Sequence, residues 1–111
     1  MLTVSSEFAE WAADHGLPLT AAPESLTALD EQLGEWANSA VGPSLGNEVG
    51  LYLGTVIVRH VPEAEWVAWP NGHPVVRLRS GTELDVVRMA ELRLQSGRPY
   101  LAEVYQDALK T

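Results

Sequence analysis

Three glycines, Gly46, Gly50 and Gly54, recur at every fourth position in a stretch otherwise built from Leu45, Val49, Tyr52, Leu53, Val56 and Ile57. The run Thr55-Val56-Ile57-Val58 alone would favour a strand, because β-branched side chains suit a pleated surface. A four-residue interval instead lines one face of a helix. Each interior glycine costs a helix roughly 1 kcal/mol relative to alanine, so three in a row imply that another backbone needs the space. The spacing therefore predicts a helix from Leu45 to His60, apolar on nearly all sides and buried at the centre of the fold.

The rest of the chain has to pack around that rod. With 111 residues and 46% hydrophobic content it has enough apolar mass for one core, so residues 1–111 read as a single domain. There is no cysteine, which removes disulfides, thiol nucleophiles and thiolate zinc sites. The longest uncharged apolar stretch, Val49 to Val58, is half of the ~20 residues that a membrane-spanning helix requires. Met1 to Ala13 carries no Lys or Arg and contains Glu7 and Glu10, unlike a secretory signal, so the expected compartment is the cytoplasm.

Before the rod, Ser5 or Ser6 is placed to cap a helix with Phe8, Trp11, Ala12 and His15 on one face, ended by Gly16 and Pro18. Pro23 suits the first helical position of a second helix. Its stripe is Leu26, Leu29, Leu33, Trp36 and Ala37, with Glu24, Asp30, Glu31 and Glu35 largely outside it. Ser39, Gly42, Pro43 and Ser44 mark Asn38 to Gly46 as a loop.

After Pro62 the period falls to two. Glu65 to Trp69, Pro74 to Arg79 and Thr82 to Val86, separated by Pro70-Asn71-Gly72 and Ser80-Gly81, read as a three-stranded antiparallel meander. Alternation sets Val76, Leu78, Leu84 and Val86 on one side, and Arg77, Arg79, Glu83 and Asp85 on a side facing water. Asp85 also suits the cap of a helix through Val86, Val87, Ala90 and Leu94 to Gly97. Pro99 opens a last helix striped by Leu101, Val104, Tyr105, Ala108 and Leu109. The fold class is α+β, four to five helices with a small meander.

Charge is segregated. The net charge is −8, and the first Lys or Arg is Arg59. Up to Val58 the only charges are Glu7, Glu10, Asp14, Glu24, Asp30, Glu31, Glu35 and Glu48, whereas from Arg59 seven acids meet seven bases. Such a half repels nucleic acid and anionic lipid, which are bound by neutralising phosphate. It attracts a basic partner, or it simply keeps the helix faces solvated.

Chemistry-bearing side chains are densest around the hairpin: Arg59, His60, Trp66, Trp69, Asn71, His73 and Arg77. Arginine offers a charged fork and tryptophan an apolar wall, so together they suit an anion or carbonyl ligand. The structural alternative is that Asn71-Gly72 makes a turn and the tryptophans fill a small core. His15, His60 and His73 match no metal-ligand spacing, no serine sits in a GxSxG elbow, and neither GxGxxG nor GxxxxGK[ST] is present. No cofactor is implied and no catalytic set emerges.

The segments Leu45-Gly46-Asn47-Glu48, Gly50-Leu51-Tyr52-Leu53-Gly54-Thr55-Val56-Ile57-Val58-Arg59, Trp69 to Leu78 and Glu83-Leu84-Asp85-Val86, with Pro23 to Asp30, resemble a family of small uncharacterised actinobacterial proteins. Ala22 departs from the pattern, since a serine cap before Pro23 would be more usual. That resemblance implies no assigned activity. The residues themselves favour a non-enzymatic interaction protein of accessory, immunity or adaptor type, binding a protein partner and best matched to a basic one. The alternative is a small ligand-binding protein or enzyme using the hairpin residues. A homo-oligomeric structural module is a third class.

Overall fold

The computed structural model describes residues 4–36 and 42–111, with side chains throughout except for 42–44. Among the described residues five helices and three strands follow one another. Ser5 caps α1 (Ser6–Asp14) by accepting from the Phe8 N–H at 3.1 Å. Ser5 is itself anchored to the rod, donating through its N–H and Oγ–H to Glu48 Oε2 at 3.1 and 2.6 Å. Phe8 and Ala12 are buried, and Gly16 turns the chain away at φ +88°.

The second helix, α2 (Glu24–Trp36), buries Leu26, Leu29, Leu33 and Trp36, the stripe expected from spacing; Ala37 lies outside the described residues. The third, α3 (Gly42–His60), is the glycine-striped rod. It starts earlier than the breaker residues suggest: Gly42 to Gly46 are helical, while 38–41 lie outside the described residues. A proline in a first turn loses no helical hydrogen bond, so Gly42-Pro43 begins a helix as readily as it interrupts one.

Leu45, Val49, Leu53, Val56 and Ile57 of α3 are all fully buried. The glycine stripe has the use its spacing implied. A Cβ at Gly50 would lie 2.5 Å from Val87 Cα and 2.9 Å from the Val86 carbonyl oxygen, so here another backbone does approach the rod. A Cβ at Gly46 would press on Glu91, and one at Gly54 would collide with the Trp66 ring.

The sheet is an antiparallel meander in the order β1 (Glu65–Ala68), β2 (Pro74–Arg77), β3 (Glu83–Leu84). Trp66 pairs with Val76, which also pairs with Leu84; Arg77 lies between Glu65 and Glu83. The strands are shorter than the alternation suggested, and β3 stops at Leu84 because Asp85 already caps α4 (Val86–Ser96), accepting from the Arg88 N–H at 3.1 Å. The polar side of the sheet is not wholly wet. Val75 shares the parity of Arg77 yet is fully buried, where α4 packs on β2.

The last helix, α5 (Leu101–Lys110), follows Gly97, which ends α4 at φ +83°. Leu101, Val104, Tyr105 and Ala108 are buried, but Leu109 is 44% exposed, because the stripe drifts off the core in the final turn. Tyr100 stands at the N-cap position and makes no side-chain cap bond. The cap comes from α2 instead. Asp30 accepts from the Leu101 and Ala102 N–H groups at 2.9 and 3.1 Å and from Arg93 Nε at 3.3 Å, while its own carbonyl accepts from Arg93 Nη2 at 2.9 Å. One nearly buried carboxylate thus ties α2, α4 and α5 together.

Candidate functional site

Four of the seven hairpin residues gather on the outer side of the meander. A five-residue loop, Trp69 to His73, joins β1 to β2: the Gly72 N–H donates to the Trp69 carbonyl at 2.7 Å, Gly72 adopts φ +85°, and the Trp69 N–H closes on the His73 carbonyl at 3.0 Å. Asn71 stabilises this turn by accepting the His73 N–H on Oδ1 at 3.0 Å. Trp69, 37% exposed, leans on the His73 ring at 5.5 Å and donates through Nε1 to Glu83 Oε1 at 3.0 Å. His73 Nε2 meets Asp85 Oδ1 at 2.7 Å, the same oxygen that caps α4. Arg77 spans Glu83 at 3.4 Å and Glu65 at 3.7 Å. The cross-strand charge pairing expected from alternation is present.

The other three residues lie elsewhere. Trp66 points to the opposite face and fills the notch at Gly54. Arg59 is exposed at the end of α3. His60 Nε2 lies 2.9 Å from the Ala21 carbonyl; a carbonyl only accepts, so this nitrogen carries the proton. Ala21, at φ +64°, is held again from the rod, since its N–H donates to the Tyr52 hydroxyl at 2.9 Å. The Ser25 hydroxyl donates to the Ala22 carbonyl and contacts Tyr52 Oη at 2.5 Å, so Tyr52 must donate to Ser25. This chain of hydrogen bonds fastens the segment between α1 and α2 over α3.

A second group of side chains, not singled out by sequence, converges where α1 meets α2. Trp11 stacks on His15 with centroids 4.0 Å apart and meets Trp36 nearly edge-on at 4.7 Å, an interplanar angle of 77°. Phe8 backs the group, 6.2 Å from Trp11 and 6.4 Å from Trp36. With Gln32 and Glu35 the indoles and His15 line an open cavity of about 370 Å³. His15 Nδ1 lies 2.8 Å from the Trp11 carbonyl and must donate to it. Helical spacing placed Trp11, His15 and Trp36 on buried stripes, and nothing local showed that the two stripes meet at an open edge. The three-plus-four spacing of Phe8, Trp11 and His15 was the available signal.

Around this cavity the helices are acidic. Glu7, Glu10, Asp14, Glu24, Glu31 and Glu35 are exposed, and among the described residues none of them forms an ion pair or hydrogen bond through its carboxylate. In the second half Glu63, Glu65, Glu83, Asp85 and Glu91 all have a cationic or histidine partner. Among the described residues no cluster of three or more His, Asp or Glu is arranged to hold a metal ion, and no helix is long and apolar enough to cross a membrane.

No curated protein and no solved structure matches the chain. A family model does match it, over residues 2–111, so the α+β fold described above belongs to a member of DUF6278, a family of unknown function.

Proposed function

We propose that this chain is a protein-interaction module of the cytoplasm, of accessory, immunity or adaptor type, whose acidic face on α1 and α2 engages a basic partner protein. One observation supports this reading above the others: six exposed carboxylates on two neighbouring helices have no cationic partner among the described residues, although four of the seven acids after Arg59 pair with an arginine and a fifth, Asp85, meets His73. Like charges on neighbouring helices repel, and a complementary surface relieves that repulsion on binding. Such a field acts mainly on the rate of encounter and weakens steeply with salt.

The test is retention of proteins from a native lysate by the tagged chain at low and high salt, using two variants of equal charge change. One is Glu7→Gln/Glu10→Gln/Glu24→Gln/Glu31→Gln; the other is Glu63→Gln/Glu65→Gln/Glu91→Gln/Glu103→Gln. The expected outcome is that basic proteins held by the native chain at low salt are kept by the second variant and lost by the first. Undiminished retention by both variants would show that these acids play no part, and equal loss would show that net charge alone is responsible; either outcome would sink the proposal.

A further inference from the structure

We infer that the outer edge of β1 is a self-association site, where a second copy of this chain adds its own β1 in antiparallel register about a twofold axis through Val67. This goes beyond the reading of the acidic face and does not rest on it. β1 lies at one edge of the meander, and its register pairs Glu65 with Arg77, Val67 with Val75 and Ala68 with Pro74. The Trp69 N–H bonds to the His73 carbonyl, so the hydrogen-bonded pairs recur at every second residue from there, at Val67–Val75 and Glu65–Arg77. The N–H and C=O groups of Trp66 and Ala68 therefore point away from β2. Among the described residues no hydrogen bond uses them. No residue of the strand is buried: Glu65 and Ala68 are exposed, Trp66 and Val67 half-buried. The opposite edge of the sheet offers no such template, because β3 is only Glu83–Leu84 and Asp85 turns the chain into α4.

An unpaired edge is a template for another strand, and this one is complementary to itself. With the axis at Val67, Trp66 stands opposite the partner's Ala68 and Ala68 opposite the partner's Trp66, so every outward N–H meets an outward carbonyl. The small Ala68 leaves room beside the large indole. On the other face Val67 meets the partner's Val67, a β-branched pair at a position where side chains approach most closely. Glu65 stands opposite the partner's Trp69, whose ring is 37% exposed and gains cover there. No like charges are opposed in this register, whereas moving the axis two residues to Glu65 would set two carboxylates face to face. Two effects hold the affinity down. Each chain carries a net charge of −8, and a strand of four residues is a small contact beside the roughly 1,200 Å² of a stable interface. The pairing is therefore weak, with a Kd of about 0.1–1 mM, and salt strengthens it by screening the repulsion.

The test is sedimentation velocity and amide nuclear magnetic resonance on the full chain, from about 0.05 to 1 mM protein at about 0.05 and 0.5 M salt. The dimer fraction should grow with concentration, and the Trp66 and Ala68 amides and the Trp69 indole should shift in step while α5 signals stay in place. The higher salt should tighten the association several-fold. Ala68→Pro removes an outward donor and no bond to β2, so it should weaken the pairing about tenfold or more. Val67→Glu opposes two carboxylates on the axis and should do the same, which keeps the test valid if Ala68→Pro disturbs the hairpin. A chain that stays monomeric at about 1 mM in both salts would overturn the inference, as would a dimer that ignores both substitutions or leaves Trp66 and Ala68 unmoved. If those two amides change only when a retained basic protein is added, the edge belongs to that partner and self-pairing is likewise overturned. Salt separates this inference from the acidic-face reading. Self-association rises with ionic strength while retention of a basic partner falls, so either can fail with the other intact.

Discussion

The outer face of the hairpin and the α1–α2 face differ in how much of their bonding capacity the fold already uses. On the hairpin, Trp69 donates to Glu83, His73 meets Asp85, Arg77 spans two glutamates and Asn71 closes its own turn. On α1 and α2 six exposed carboxylates have no such partners among the described residues. The hairpin has the greater density of chemistry-bearing residue types; the helical face has the greater amount of unused chemistry. Polar groups that satisfy one another inside a fold have little left to offer a ligand. A surface is therefore better judged by what its side chains leave unsatisfied than by which side chains it contains.

Asp30 tests this distinction most severely, because it lies on the acidic helix α2 yet is turned inward. Its side chain and that of Arg93 are 11% and 12% exposed, and it supplies the cap that Tyr100 does not. Asp30→Ala leaves Arg93 Nε and two α5 N–H groups without an acceptor, while Arg93 Nη2 keeps its bond to the backbone carbonyl of residue 30. The expected loss is about 3–4 kcal/mol in urea unfolding, in the range for breaking a nearly buried pair. Glu31→Gln, one residue away, should change stability by less than about 0.5 kcal/mol. Similar costs at the two positions would erase the contrast between spent and unspent acids.

The next largest effect separates the two regions through the rod they share. Gly50→Ala forces a methyl against the Val86–Val87 backbone, where no flexible side chain can yield, at a cost of about 2–3 kcal/mol. Crowding there should displace α4 and disturb the hairpin, whereas the α1–α2 segment is fastened to α3 at Tyr52 and His60. Indole signals of Trp66 should therefore shift while those of Trp11 stay in place. Gly34 meets nothing within 4 Å of an added Cβ, so Gly34→Ala should stabilise by roughly 0.5–1 kcal/mol. If Gly50→Ala is also neutral, the rod does not make the close contact described.

These positions mark what was legible in the sequence. The glycine stripe, the apolar stripes of α2 and α3, the meander and the Asp85 cap all follow from local period and local chemistry. Asp30 was not legible as a cap, because its partners lie 63 to 72 residues away and its local pattern is that of a solvated helix face. The start of α3 was missed because Gly42-Pro43 carries the same signal whether it breaks a helix or begins one. Val75 is buried by a helix that crosses β2, a tertiary fact that strand alternation does not contain. The aromatic cavity required two helices to meet edge to edge, and each stripe alone reads as core.

A smaller loss is expected within the hairpin. Asp85→Ala removes the α4 cap and the His73 contact together and should cost about 1–2 kcal/mol. Arg77→Ala breaks only exposed pairs, with side chains 34–61% exposed, and should cost less than about 0.5 kcal/mol. Neither should alter retention of a basic partner. A loss of retention in a still-folded Arg77→Ala chain would bring the hairpin back as the working surface.

The smallest effect on stability belongs to the surface given the largest role in function. Glu7→Gln/Glu10→Gln/Glu24→Gln removes charges that have no partner among the described residues, so no stabilising contact seen there is lost and some mutual repulsion is relieved. The expected change is within about 0.5 kcal/mol, in the direction of greater stability. Salt gives the sign independently. Raising the ionic strength to about 0.5 M shortens the screening length to roughly 4 Å, which should stabilise the native chain by weakening repulsion across α1 and α2. The triple variant should show less of that gain in urea unfolding monitored at several salt concentrations. A triple variant that gains more stability from salt than the native chain would mean these carboxylates are engaged in attractive pairs, since the ion pairs of the second half are common to both chains, and the face would no longer be free to meet a basic partner.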